Sequence, residues 1–458
     1  MIAGYRKSLA VVAVALFFTN VSNYTQQFGV IPLAWIGLFA GLCVPVAVHG
    51  LFTGRVPIRP LAWWGSGYLL VSVLWFYRSP QDAFAYEEVQ LRVLSVIFLV
   101  LSLIVFSDAS AQRVGRVAIA AATMLAVGFN LYELFNPQTF SDIVGRAAGL
   151  YGNSNQSAAA LVLGLILGYA VVPGWLRGTF VAATAIGIIP TFSRSGILAW
   201  LLVVAFFTLR AGFGVAQMRR VVVLAALVVG LLVSPVWGDI ERELYERGTL
   251  NLNVLDRLAF FGGGEASDAS TSERKAVATK AWSMVGEEPF RGHGTGASVR
   301  IDGFEVGTHN VYLAMMVDHG FLAGIAVIPL LLLATMWGAT RRTLALTIPF
   351  AAFIAMWSLF SHNVLEERYI LLSIGLTASV VAVAARSAAA EAGSWERECP
   401  SEPSAARSED GTTLIAGDGR RPPHPRPLSP RRGEIDGRRP LSPRVGETDA
   451  GTLAPGRT

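Results

Sequence analysis

Four short polar clusters interrupt an otherwise apolar chain, and their residue types suit chemistry on phosphates and hydroxyls. The first runs from Arg146 through Gly149 and Gly152 to Asn153-Ser154-Asn155. Its Gly and Asn residues tolerate left-handed backbone and offer side-chain hydrogen bonds, so it contacts a ligand or caps a helix at Ser154 or Asn155. The second is Thr191-Phe192-Ser193-Arg194-Ser195-Gly196. Backbone N–H groups at a helix start, two hydroxyls and a guanidinium make a phosphate site, although an arginine at a membrane boundary also snorkels to headgroups. The third begins with Arg274 in the segment ERKAVATKAW and continues through Pro289-Phe290-Arg291-Gly292-His293-Gly294-Thr295-Gly296. Glycines at every second position, Gly294 at their centre, permit close backbone approach to a ligand. They do not follow a strand in a βαβ unit, which excludes a dinucleotide fold. The fourth is Thr308-His309-Asn310-Val311-Tyr312, in which a neutral imidazole either accepts a proton from a hydroxyl or caps a helix. Asp318 follows nine residues later, about 13 Å deeper along a helix and pointing away from His309. His362-Asn363 is a further polar pair, read as structural, and no His/Asp/Glu spacing suggests a metal site.

These clusters need elements to hold them, and the composition says which. The 458 residues are 53 % hydrophobic and 15 % charged, with a mean hydropathy of +0.50, whereas soluble domains carry about a quarter charged residues. Two cysteines, Cys43 and Cys399, exclude a disulfide scaffold. Twelve apolar runs lie near 8–21, 30–52, 61–77, 91–107, 117–135, 157–173, 178–192, 195–209, 219–237, 310–338, 343–360 and 369–386. About 20 apolar residues span a bilayer as a helix, so the chain reads as an all-α membrane protein of about twelve transmembrane helices. With the N-terminus inside, the inner short segments hold 13 basic residues against the single acid Asp108. The outer ones hold Arg78, Arg92, Arg146, Arg194 and Arg368 against Asp82, Glu87, Glu88, Asp142, Glu366 and Glu367. Mid-span charges are few, Glu133 and then Asp318 and His319, and the polar groups collect instead at the outward ends of helices. A net charge of +5 is too small to argue for nucleic acid, and none is expected.

Residues 1–390 form one membrane domain, with a large outer loop at 238–308 that contains a helix over Ser272–Val285 and a turn-rich piece over Gly262–Ala269. Residues 391–458 read as a disordered tail rich in Pro and Arg, with ten of the chain's 22 prolines and the near-repeats RPLSPRRGE and RPLSPRVGE.

The succession RAAGLYGNSNQSA, TFSRSGILAW, PFRGHGTG and HNVYLAMMVDHGFLAG resembles the O-antigen ligase and O-antigen polymerase family over roughly residues 90–385. Arg194 with Leu198 matches the family's Arg-x-x-x-Leu element, and His309-Asn310 with Gly320 matches its His-Asn element. Asp318 stands where the family usually has Glu, and Ala323 departs from its usual Gly, Thr or Tyr. The resemblance implies an inverting, metal-independent and cofactor-free glycosyltransferase of the bacterial inner membrane, its site facing the periplasm. The implied donor is a glycan on undecaprenyl diphosphate, and the implied acceptor a hydroxyl on a glycan, lipid or protein, with membrane lipids around. It assigns Arg194 and Arg274 to the diphosphate and His309 to the acceptor hydroxyl. Arg146, Asn155, Ser193, Gly294 and Asn310 become substrate-binding candidates. The alternative class is a multi-span secondary transporter or lipid flippase without covalent chemistry, which calls for inverted repeats with broken helices near the midplane.

Overall fold

The computed structural model describes residues 2–53, 59–210, 235–251, 269–299 and 307–398, with isolated positions at 219, 254–255, 301 and 304. The chain divides into two units, Met1–Pro400 and Ser401–Thr458, and the described residues all belong to the first. Three expected features therefore lie wholly or mostly outside the described residues: the ninth apolar run, the turn-rich piece Gly262–Ala269 except Ala269, and the tail from 399 onward.

Among the described residues the protein is helical throughout, with no strand. The elements are α1 (Ile2–Ala13, continued by a π turn Val14–Phe18), α2 (Val21–Tyr24), α3 (Pro32–Thr53), α4 (Arg59–Phe76) and α5 (Ala83–Val105). There follow α6 (Ala109–Phe135), α7 (Ser154–Gly168), α8 (Arg177–Ile188), α9 (Arg194–Arg210), α10 (Pro235–Glu246) and α11 (Ala269–Glu287). The chain continues with α12 (Val311–His319), α13 (Phe321–Thr335), α14 (Leu344–Trp357) and α15 (Arg368–Glu398). By length and composition four stretches can cross a membrane, Pro32–Gly50, Ala83–Val105, Ala109–Phe135 and Arg368–Glu391. The pair Ile2–Phe18 and Val21–Phe28, bent by 53°, makes a fifth if it is one span. Helices α7, α9, α13 and α14 are apolar but shorter, so the described helices recover the expected twelve only in part.

Helix α7 is the centre of the bundle. All but two of its fifteen residues are buried, which matches a helix apolar on every side. It packs on α6, α8, α9, α14 and α15. Small residues permit that closeness, since a Cβ on Gly164 would overlap the Thr123 side chain of α6. The core around it gathers Phe17, Phe39, Phe98, Phe350 and Phe353, each at most 1 % exposed.

Three expectations need correction. The tenth apolar run is not one helix. It breaks at Gly320, which sits at φ +89° and ψ 168° between α12 and α13, a conformation essentially reserved for glycine. The two helices double back on each other, so that a Cβ on Gly324 would lie 2.7 Å from the Tyr312 carbonyl oxygen. Asp318 stays on the same helix as Asn310, as expected, but lies near the apex of a helical hairpin. Arg92, expected in an outer loop, is the tenth residue of α5 and 0 % exposed. The last helix α15 continues to Glu398, past the expected start of the tail at 391.

Candidate active site

The loop that carries Arg146 is organised by Glu133, near the end of α6. Its Oε1 accepts from the backbone N–H groups of Phe140 and Ser141 at 3.0 and 2.6 Å. Its Oε2 accepts from Ala148 and Gly149 at 2.7 and 2.9 Å. Four charge-assisted bonds satisfy a carboxylate that is only 3 % exposed, so Glu133 is a loop anchor and not a mid-span coupling group.

The first two polar clusters meet in space. Buried Arg146 donates from Nε to the Thr191 carbonyl at 3.0 Å and from Nη2 to Asn155 Oδ1 at 3.1 Å. Ser193 Oγ donates to the same Asn155 oxygen at 2.9 Å and accepts from the Gly196 N–H at 3.2 Å, capping α9. The cap of α7 is Asn153, which accepts from the Asn155 N–H, and not Ser154 or Asn155. Arg146, Asn155 and Ser193 thus form one hydrogen-bonded knot at the start of α9, where Arg194 is the first, half-buried residue. Phe192 at φ +47° makes the tight turn that lets α9 begin there.

The glycine-rich loop wraps the end of α12. His293 N–H donates to the Val317 carbonyl at 2.8 Å and Gly294 N–H to the Asp318 carbonyl at 3.0 Å. The Asp318 carboxylate accepts from the N–H groups of Gly296 at 3.2 Å and Ser298 at 2.8 Å. Gly294, at φ +105°, is pressed on Ser79, whose backbone N would lie 2.6 Å from a Cβ. The close approach that its glycine permits is to the protein's own backbone. Asp318 also pairs with Arg92 Nη2 at 2.6 Å, both side chains fully buried. Arg92 further donates from Nε to Glu88 Oε1 at 2.9 Å, from Nη1 to Ser72 Oγ at 3.1 Å, and to His319 Nε2. A guanidinium shared among these acceptors is the arrangement that makes a buried charge tolerable. It ties α4, α5 and the α12–α13 hairpin to the loop.

The fourth cluster sits at the other end of α12. Asn310 caps that helix, its Oδ1 accepting from the Leu313 N–H at 3.1 Å. The adjoining Val311 N–H donates to the Ser358 carbonyl at 2.9 Å, which brings in the segment after α14. The rings of His309 and His362 lie 5.5 Å apart in an edge-on arrangement. Burial lowers the pKa of His309 below its ordinary value, the Arg274 guanidinium of α11 lowers it further, and Glu273 opposes both. His362 is lowered to about 4, first by burial and then by His309. Both imidazoles are therefore neutral at physiological pH, and a neutral imidazole is what accepts a proton. Among the described residues no group of three His, Cys, Asp or Glu could hold a metal ion.

Sequence alone does not reveal two participants. His362 reads as structural, and only the fold brings it to His309 across 53 residues. Arg92 reads as a loop charge, and the signal that points to it is its place in an apolar run, ten residues into a helix.

Residues 179–328 match the family model described as O-antigen ligase, a region that contains Ser193, Arg194, Arg274, Gly294, His309 and Asn310. Among curated proteins none matches the chain. The matched region also includes the α12–α13 hairpin and the glycine-rich loop, and over these residues the chain is similar to the O-antigen ligase family.

Proposed function

We propose that the protein transfers a glycan from undecaprenyl diphosphate to an acceptor hydroxyl at the outer face of the bacterial inner membrane, in cell-surface polysaccharide assembly. The family supports glycan transfer in that process. The observation that carries the finer reading is the neutral, half-buried His309, with Arg274 close enough to depress its basicity and His362 beside it. In the proposed reaction the acceptor hydroxyl attacks the anomeric carbon from the face opposite the diphosphate and so inverts it. His309 orients that hydroxyl and takes its proton, while the glycosidic bond to the diphosphate breaks. Negative charge then grows on the leaving phosphate, and Arg194 and Arg274 stabilise it without a metal. Arg146, Asn155 and Ser193 act indirectly, since their hydrogen bonds fix the start of α9 and hence Arg194. Asn310 fixes the start of α12 beside His309, and Gly294 fixes the loop around Asp318.

The test is the formation of a glycosidic bond by purified protein from a lipid-linked oligosaccharide and an acceptor. His309→Ala and Arg194→Ala are expected to abolish product while the protein remains in the membrane at normal level. Normal surface glycan in both variants would sink the assignment. Two breaks favour the transporter alternative, at Thr19–Asn20 and at Gly320. At the second, however, the freed Phe321 N–H donates to the Pro289 carbonyl at 2.7 Å, so the chain's own loop occupies what an ion would need. Movement of lipid-linked sugar between leaflets without bond formation would restore that alternative.

A further inference from the structure

An apolar groove of about 830 Å³ runs between α4 and the α12–α13 hairpin, away from the histidine pair. One wall is Trp63, Trp64, Gly67 and Val71 of α4, and the facing wall is the Ala323, Ala326 and Leu330 side of α13. The pairing is antiparallel. His319 meets Trp75 with ring centroids 5.9 Å apart, and farther along Trp64 Nε1 donates to the Val327 carbonyl at 3.1 Å. The lining from Leu322 to Trp337 is about 22 Å long at 1.5 Å per residue, somewhat more than the roughly 15 Å of hydrocarbon in one leaflet. The groove is thus long enough for one extended acyl chain.

One end of it is not apolar. His319 lines the groove and is 3 % exposed. Its Nε2 receives a hydrogen bond from the Arg92 guanidinium, which has only donors, so that nitrogen is the acceptor. The ring proton of the neutral tautomer then sits on Nδ1, and Nδ1 has no hydrogen-bond partner among the described residues. A buried donor without an acceptor is costly, and a groove ligand that brings an acceptor removes the cost. The Arg92 charge itself is already spent on Asp318 and Glu88. Among the described residues, the end of the groove therefore offers a neutral donor and no cation, which suits an uncharged ester carbonyl better than a diphosphate.

We infer that this groove binds one acyl chain of a membrane glycerophospholipid, with its ester carbonyl accepting from His319 Nδ1–H. The site is distinct from the donor lipid's chemistry and rests on the proposed topology only for naming the leaflet, the outer one.

The test uses the full chain in nanodiscs of phosphatidylglycerol, doped with a phosphatidylglycerol that carries a diazirine at the end of one acyl chain. A second probe is its ether-linked twin, which lacks the ester carbonyls. Light is expected to attach the ester probe to peptides containing Trp63 or Trp337. The ether probe should be captured roughly two- to tenfold less, the worth of one neutral hydrogen bond. Gly67→Phe fills the groove where a Cβ meets nothing within 4 Å, and should abolish capture of both probes. His319→Phe should erase the difference between ester and ether. Equal capture of the two probes by the unaltered protein overturns the inference, and so does undiminished capture in folded Gly67→Phe. Displacement of the phospholipid by a polyprenyl diphosphate would assign the groove to the glycan donor and overturn it too. If either variant fails to fold, the ester–ether comparison on the unaltered protein decides. Capture should persist in His309→Ala, so its loss and a failure of the glycosyl-transfer reading are separate results.

Discussion

His309 has its basicity lowered first by burial and then by Arg274, with Glu273 opposing both, and that gives the proposed chemistry a signature in pH. The base must be unprotonated to act, so kcat/KM falls as pH drops through its pKa. Because burial and Arg274 lower that pKa, the acidic limb should lie below the position of an ordinary histidine. Arg274 lowers it and Glu273 raises it. In residual activity, Arg274→Gln should therefore move the acidic limb to higher pH and Glu273→Gln to lower pH. A limb that stays put in both variants would show that His309 is not the titrating base. A stability prediction belongs to Asp318. Asp318→Ala strips Arg92, Gly296 and Ser298 of an acceptor and leaves the guanidinium with Glu88, Ser72 and His319. Breaking a buried pair in this way costs about 3–5 kcal/mol, measurable as resistance to unfolding in mixed detergent micelles. Asp318→Asn keeps one carbonyl acceptor and should cost less. At this scale His309, Arg194 and Arg274 are candidates that residue type and the family resemblance single out. The Arg92–Asp318 pair is not singled out in this way, since its partners stand 226 residues apart and only the fold makes them neighbours.

The elements explain where local reading succeeds and where it stops. Helix α11 appears within a few residues of its expected bounds, because Ser272–Val285 is a run of good helix formers without Gly or Pro. The tenth apolar run misleads because hydropathy is blind to direction. Nothing in the apolar content of 310–338 says that the chain reverses, and the one signal is Gly320 between two stretches that are each helical. The consequence is testable at that residue. Gly320 occupies φ +89°, and an added Cβ would lie 2.5 Å from the Phe290 carbonyl oxygen. Gly320→Ala thus combines backbone strain of about 1–3 kcal/mol with displacement of the glycine-rich loop from the end of α12. It should lower both thermal stability and glycan transfer, although it touches neither His309 nor the arginines assigned to the diphosphate. Gly286→Ala in α11, with open space around its Cβ, is the control and should be neutral or slightly stabilising. Equal behaviour of the two variants would mean that the hairpin is not required.

For the whole molecule, the distribution of charge says more than its sum. On the proposed topology, a formal +5 conceals an inner face with 13 basic residues against one acid. The structure moves Arg92 and Glu88 out of the loops and into α5, where they neutralise each other and Asp318 in part. The inner side of the ledger is unaffected, so the orientation read from it stands as a proposal on the same footing. Nine apolar runs precede the 238–308 loop and three follow it, both odd numbers, so if each run crosses once the loop and the tail lie on opposite faces. The hairpin leaves that parity intact if α13 makes the tenth crossing and α12 lies back against its outer end. Native Cys399 reports on the tail, and Cys43, 0 % exposed in the core, stays silent. Thr279, exposed on α11, reports on the loop once Thr279→Cys is combined with Cys399→Ser. In intact spheroplasts a membrane-impermeant maleimide should label Thr279→Cys and leave Cys399 unlabelled until the membrane is permeabilised. The reverse pattern would invert the protein and put His309 on the cytoplasmic side, where nucleotide-linked donors are available. Labelling of both positions from one side would require an even number of crossings between them, and α13 would then be a re-entrant element and not a span.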